Sequence, residues 1–271
     1  MSTALASEIR AAAEEMKPQL QDWYRHLHRY PEMAHKEFQT NAYIRAELKK
    51  MGIPYLAPKD NITIAVVSAN KPGDTIGYRF DTDALMVEEQ SGVPFASEHP
   101  GIMHACGHDG HIAVGLCTAY LLLKHADDWC GTAKLIFQPA EEGVKGAQSI
   151  AEGGILDDVD MFFSSHLGMG YKTGELIGLT KDFLSTTKID ATFHGVASHA
   201  GMTPQEGRSA ILAASAACLA MHTACQDSRG ASRINVGTDL VININTHNVI
   251  ISVFHRLQNY CHACALIFKH C

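Results

Sequence analysis

Aromatic residues are scarce in this chain, 7% of 271 positions with two Trp, so its core must rest on aliphatic side chains. It has no surplus of positive charge: 22 Lys and Arg face 29 Asp and Glu, for a net charge of -7. That balance removes the electrostatic ground for expecting nucleic acid or an anionic membrane as partner. Long apolar runs are missing too. The longest, Ile112 to Leu123, falls short of the roughly 20 residues that cross a bilayer and reads as a buried helix. The opening MSTALASEIRAAAEEMK has no basic stretch, and Glu8, Glu14 and Glu15 interrupt it, unlike an export signal. No internal repeat, low-complexity tract or Gly/Ser linker stands out. With 46% hydrophobic and 19% charged residues, disordered and collagen-like chains are excluded. The expectation is a soluble cytoplasmic protein whose cysteines are thiols.

What the chain does have is histidine, 16 residues beside 8 Cys. Imidazole and thiolate are common ligands of zinc and other borderline cations, so metal chemistry is the first function to consider.

Hydrophobic spacing organises the chain as alternating helices and strands. Leu5, Ile9, Ala12, Met16, Leu20, Trp23 and Leu27 recur at helical intervals, with Pro18 a break or kink. A second helix is expected from about Lys36 to Met51, stopping at Gly52. Strands are expected at Ile62 to Ser68, Thr75 to Phe80, Ala133 to Phe137 and Asp160 to Ser165, with helices at His111 to His125 and Lys145 to Glu152. This alternation predicts an α/β fold, a mostly parallel sheet flanked by helices. The texture changes after Lys181: a strand from Thr186 to His194, an Ala-rich helix from Gly207 to Cys225, and a strand at Ser232 to Val236. A second, smaller α+β domain is expected there.

Each polar cluster follows a strand. Asp81 and Asp83 follow GYRF. His104, Cys106, His108, Asp109 and His111 lie in MHACGHDGH. Glu141 and Glu142 follow KLIFQPA, and His166 closes DMFFSSH. Open α/β sheets place their sites at the carboxyl ends of strands. Alternate residues of extended backbone share a face, so Cys106 and His108 can address one ion or two adjacent ions. Adjacent Glu141 and Glu142 point different ways, which allows one to ligate while the other handles a proton. Singly, these features have plainer readings: an EE pair begins many helices, a lone His is more often a satisfied core residue, and two Asp can cap a turn. Recurrence at four strand ends is what favours a site.

RFDTDALMVEEQSG, MHACGHDGH, KLIFQPAEEG, the His166 strand and GVASHAGMTPQEG occur in that order, and together they resemble the metal-dependent amidohydrolases of metallopeptidase family 20. KLIFQPAEEG, DDVD, TTKIDATFHG and GASRINVG are most similar to the p-aminobenzoyl-glutamate hydrolases of that family. The resemblance covers about Leu20 to Gly237. It implies a catalytic domain over 1–183 and part of a ferredoxin-like α+β lid that dimerises, over 184–237. It implies two divalent ions, Mn or Zn, with Cys106 a thiolate shared between them and His108, His166 and Glu142 as further ligands. Glu141 would be the general base, Asp83 would orient ligands, and His199 would reach the partner subunit's site. The implied substrate is a small N-acyl or N-aroyl amino acid (hippurate-like, acetylated or p-aminobenzoyl-glutamate), and the implied assembly is a homodimer or heterodimer formed through the lid.

Residues 238–271 resemble nothing in the family, which points to a truncated or frameshifted end and leaves a last histidine ligand unaccounted for. An inactive fragment, or a noncatalytic metal-binding or dimerising subunit, is the alternative. Within this tail Cys261 and Cys264 have zinc-binding spacing, with His262, His270 and Cys271 nearby, but no second pair at a convincing distance.

Overall fold

The computed structural model describes residues 3–143, 145–168, 172–178, 184–223, 233–236, 241–243 and 248–258. The chain divides into two compact units, Met1–Thr173 and Gly174–Cys271.

The first unit begins with three helices, α1 (Thr3–Glu15), α2 (Lys17–Arg29) and α3 (Phe38–Lys50). Pro18 lies in the first turn of α2, where its missing N–H costs nothing, so the predicted break separates two helices. Five strands follow with two intervening helices: β1 (Tyr55–Lys59), β2 (Ile62–Ser68), β3 (Thr75–Asp81), α4 (His108–Lys124), β4 (Thr132–Gln138), α5 (Gly146–Ala151) and β5 (Met161–Ser164).

They form one sheet in the order β1-β2-β4-β3-β5. β3 pairs in parallel with β4 and with β5, whereas β2 pairs antiparallel with β1 and β4. The sheet is therefore mixed, its parallel part being the half that carries the polar clusters. Periodicity gives no sign of β1. All five of its residues are exposed, it contains Pro58, and its register shifts between Leu56 and Lys59. An edge strand with a bulge and a proline has no buried face to leave an alternating signal. Its short link to β2 also makes that pair a hairpin, hence antiparallel.

Trp23 and Leu27 of α2, Ile44 and Leu48 of α3, and Ile112 and Leu116 of α4 pack on one sheet face against Ala65, Phe80, Leu135 and Phe137. Ile62, Ile64 and Ile136 cover the other with Ile150 of α5. Full burial of each large aliphatic or aromatic side chain contributes about 1.5–3 kcal/mol. The tightest packing is at Gly115 of α4, where a Cβ would lie 2.8 Å from Phe137 Cε1 and 3.0 Å from Phe80. The helix can approach the sheet this closely only because that position has no side chain.

The second unit contains β6 (Leu184–His194), α6 (Ala210–Thr223), β7 (Arg233–Val236), β8 (Val241–Asn243) and β9 (Asn248–Gln258). β9 lies between β6 and β7 and pairs antiparallel with both, while β8 also pairs with β9. Ala210 and Ala214 of α6 are buried with Phe193, Cys218, Ile234 and Val236 against them. β6, α6, β7 and β9, with β9 inserted between β6 and β7 and β8 an added short strand on β9, follow the order of the leading part of a ferredoxin-like βαββαβ arrangement. The segment set apart as a tail thus contributes β9, paired along all of β6. Its Cys261, His262, Cys264, His270 and Cys271 lie outside the described residues. Among the described residues no helix is long and apolar enough to cross a membrane.

Gly115→Val is expected to destabilise the first unit by about 1–3 kcal/mol through overpacking against Phe80 and Phe137. Urea denaturation of wild type and variant measures it.

Candidate metal centre

Because β3, β4 and β5 run in parallel, Asp81, Gln138 and Ser164 end them on one edge of the sheet. The loops that leave this edge carry Asp83, Glu141, Glu142 and His166. The MHACGH loop enters α4 beside them, with His108 as the first helical residue. A helix amino terminus carries partial positive charge, which favours a thiolate at Cys106.

Two overlapping groups of ligand atoms result, each with its atoms within 4.8 Å of one another: Cys106, His108 and Glu142, and Asp81, His108, His111 and His166. Hydrogen bonds separate their roles. His108 Nδ1–H donates to the Asp83 carbonyl oxygen at 2.8 Å, leaving Nε2 buried with no hydrogen-bond partner. His166 Nδ1–H likewise donates to the Leu167 carbonyl at 2.8 Å, and its Nε2 lies 3.5 Å from Cys106 Sγ. In both rings a backbone carbonyl holds Nδ1, as in metal-binding histidines; His166 turns Nε2 toward the thiol, and His108 Nε2 lies 3.4 Å from Asp81 Oδ2.

His111 is different. Its Nδ1 is bonded to Asp81 Oδ1, and its Nε2 accepts the Leu167 N–H at 2.8 Å. With both nitrogens engaged, His111 holds the strap next to His166 and offers no free donor. Asp81 is committed to His111 and to Arg79, 2.7 Å away. Asp83 Oδ2 accepts the Glu142 N–H at 2.8 Å, so Asp83 touches both His108 and the glutamate loop.

Of the residues singled out from sequence, Cys106, His108, Glu142 and His166 come together, with Asp83 behind them and Glu141 next in the chain to Glu142. His199 is in the second unit, where its Nδ1 accepts the N–H groups of Gly201 at 3.2 Å and Met202 at 3.1 Å. Two members of MHACGHDGH turn elsewhere. Asp109 Oδ2 binds His28 Nδ1 at 2.6 Å, and His28 Nε2 meets Glu89 at 3.1 Å. His104 is buried and belongs to neither group. Sequence reasoning gave Asp81 and His111 no role, although His108 and His111, three apart on one helix, had to share a face.

The electrostatics are those of a site built for a cation. Burial alone would raise Asp81, but His111, Arg79 and His108 outweigh it and hold the carboxyl at about 2. Burial likewise disfavours a charged His108, yet the closeness of Asp83 and Cys106, with Asp81 nearby, pushes it up to about 11. The bond to Cys106 raises His166 to about 8, and His108 and His166 lower the Cys106 thiol. Burial, then Glu142, raises Glu141. Protons on His108 and His166 thus balance the neighbouring acids. The orphaned His108 Nε2 and the thiolate, imidazole and carboxylate donors fit a divalent transition metal or zinc.

Comparison with known proteins agrees. Residues 77–247 match Peptidase family M20/M25/M40. The chain belongs to this family. The M20 match extends past Gly237, the point where the resemblance read from sequence motifs stops. The indole-3-acetyl-aspartic acid hydrolase of Enterobacter agglomerans is 36% identical, covering 82% of this chain and 62% of its own length. A p-aminobenzoyl-glutamate hydrolase subunit of Escherichia coli strain K12 is 35% identical with the same coverage, 82% and 62%. The M20 chain therefore spans under two thirds of the length of these relatives. The crystal structure of the Bacillus subtilis YXEP protein, described as a dinuclear metal-binding peptidase of the M20 family, superposes with a TM-score of 0.65 at 27% identity, over 91% of this chain and 65% of that one.

As ligands of an added zinc ion, His108 and His166, whose pKa values are raised, would have to lose their protons. Affinity is therefore expected to fall as pH drops from about 8 to about 6, with net proton release on binding. Calorimetric titrations in buffers of different ionisation enthalpy measure that release. A pH-independent affinity would contradict the assignment.

Proposed function

We propose that this chain carries the metal-binding catalytic part of an amidohydrolase that cleaves the amide bond of N-acyl or N-aroyl amino acids. The observation that carries the proposal is the convergence of Cys106 Sγ, His108 Nε2 and Glu142, with Glu141 adjacent, on the carboxyl edge of the parallel strands. The similarity to hydrolases of indole-3-acetyl-aspartate and p-aminobenzoyl-glutamate supports this substrate class.

In this reading Cys106, His108, Glu142 and His166 would hold up to two divalent ions, Zn or Mn. Bound there, such ions polarise an amide carbonyl and lower the pKa of water. Glu141 accepts the proton of the attacking water, whose oxygen bonds to the carbonyl carbon. As the carbon–nitrogen bond breaks, Glu141 returns that proton to the departing amine, so a carboxylic acid and a free amino acid leave. Burial and the neighbouring Glu142 keep Glu141 more basic than an ordinary glutamate, which suits this exchange. Asp83 keeps His108 and the glutamate loop in register. The ferredoxin-like unit belongs to a dimerising lid, homodimeric or heterodimeric, through which His199 reaches the partner subunit's substrate. The substrates are small molecules, and the compartment is the cytoplasm.

A second reading follows from the chain's covering 62% of its relatives' length: a metal-binding piece without turnover of its own. A panel of hippurate, N-acetyl-amino acids and p-aminobenzoyl-glutamate, assayed for released amino acid with Zn or Mn, separates the two. Glu141→Ala is expected to reduce any turnover by about 10²–10⁴-fold while leaving metal content unchanged. Turnover by Glu141→Ala equal to wild type refutes the base assignment. Bound metal without hydrolysis in the wild-type chain favours the second reading.

A further inference from the structure

Glu37 is fully buried at the start of α3, and among the described residues it has no ion-pair partner. Its position suggests a helix cap, yet its side chain makes no capping bond. That work is done by Glu32, whose carboxylate accepts the N–H groups of Gln39 at 3.1 Å and Thr40 at 2.8 Å. The Glu37 carboxylate reaches across the chain instead. Oε1 accepts the Ala140 N–H at 2.7 Å, and Oε2 accepts Asn61 Nδ2 at 3.3 Å.

Ala140 is the residue before the glutamate pair, and it is held at φ 51, a left-handed conformation that is strained for a residue with a Cβ. Three residues on, a Cβ on Gly143 would lie 2.4 Å from that of Ala34, so the loop is seated against the segment before α3. The same segment grips the other site loop: Glu32 O accepts the Ala84 N–H at 2.8 Å, and Met33 bridges Ala84. The glutamate loop is therefore clamped on both sides of Glu141, by Glu37 at the Ala140 amide and by Asp83 at the Glu142 amide.

We infer that Glu37 is a positioning residue for the Glu141–Glu142 pair, acting through the Ala140 amide to hold the loop in its left-handed turn. This rests on Glu142 being a ligand, as proposed above. Burying a carboxylate without a cation is expensive unless its oxygens are satisfied. Burial accordingly raises its pKa, against the pull of the N–H donors. The position is accounted for by its use at the loop and not by the stability of α3.

The test uses the whole chain as wild type, Glu37→Gln and Glu37→Ala. Amide hydrogen exchange at Ala140 in metal-free protein is expected to rise in the order Glu, Gln, Ala, because an amide oxygen is a weaker acceptor than a carboxylate. Co²⁺ affinity is expected to fall about 10–100-fold in Glu37→Ala, and by much less when Glu142 is already Gln, since the two substitutions act through one loop. Equal loss of affinity in both backgrounds would show a merely structural role and overturn the inference. If Glu37→Ala does not fold, Glu37→Gln decides through Ala140 exchange, and a rate equal to wild type overturns it. If the wild-type chain binds no Co²⁺, the ligand assignment fails by itself. The exchange series then still decides whether Glu37 holds the loop.

Discussion

The structure depends on a concentration of charge at the carboxyl edge of β3, β4 and β5. Asp81, Asp83 and Asp109 are each almost wholly buried, as are His28, His104, His108 and His111. Buried acids need compensation, because an isolated charge removed from water costs many kcal/mol. Arg79, His28, His108 and His111, each beside one of these carboxylates, supply it. Such pairs seldom repay their own desolvation, so a well-packed apolar cluster in the same place would serve stability as well or better. The cluster makes physical sense as a receptor for a cation, and binding would return stability by mass action, about 2.7 kcal/mol at one hundred times Kd.

This constraint explains the arrangement around it. The parallel strands bring three loops to one edge, and the close approach of α4 at Gly115 sets its amino terminus there. His111 ties the Leu167 amide to Asp81, which fixes the strap bearing His166. Asp83 ties His108 to the glutamate loop. Glu37 reaches the same loop from α3. His108, the strap bearing His166 and the glutamate loop are thus each held by a group that is itself hydrogen-bonded, and this shell is what turns a set of ligands into a site.

Much of this was legible in the residues. The runs at Thr75 to Phe80, Ala133 to Phe137 and Asp160 to Ser165 each lead into a polar cluster, and that pattern located the edge of the sheet. MHACGHDGH followed by a helical run located the entrance of α4. What stayed hidden had little periodic signal or depended on distant contacts. β1 is exposed throughout, and its antiparallel pairing with β2 made the sheet mixed. β9 lay in a stretch whose side-chain pattern matched nothing, although its backbone completes a sheet with β6 and β7. The division of labour between His108 and His111 rests on which nitrogen meets a carbonyl, which only coordinates reveal. Glu37 had the appearance of a helix start and lies 103 residues from the amide it holds.

The central claim is that Cys106 and two imidazole Nε2 atoms converge on a metal ion. X-ray absorption spectroscopy of the zinc-loaded whole chain and of Cys106→Ser tests it most directly. A sulfur scatterer at about 2.3 Å is expected together with nitrogen and oxygen at about 2.0–2.2 Å, the sulfur shell vanishing in the variant. A spectrum with no sulfur shell, or one that Cys106→Ser leaves unchanged, would contradict it.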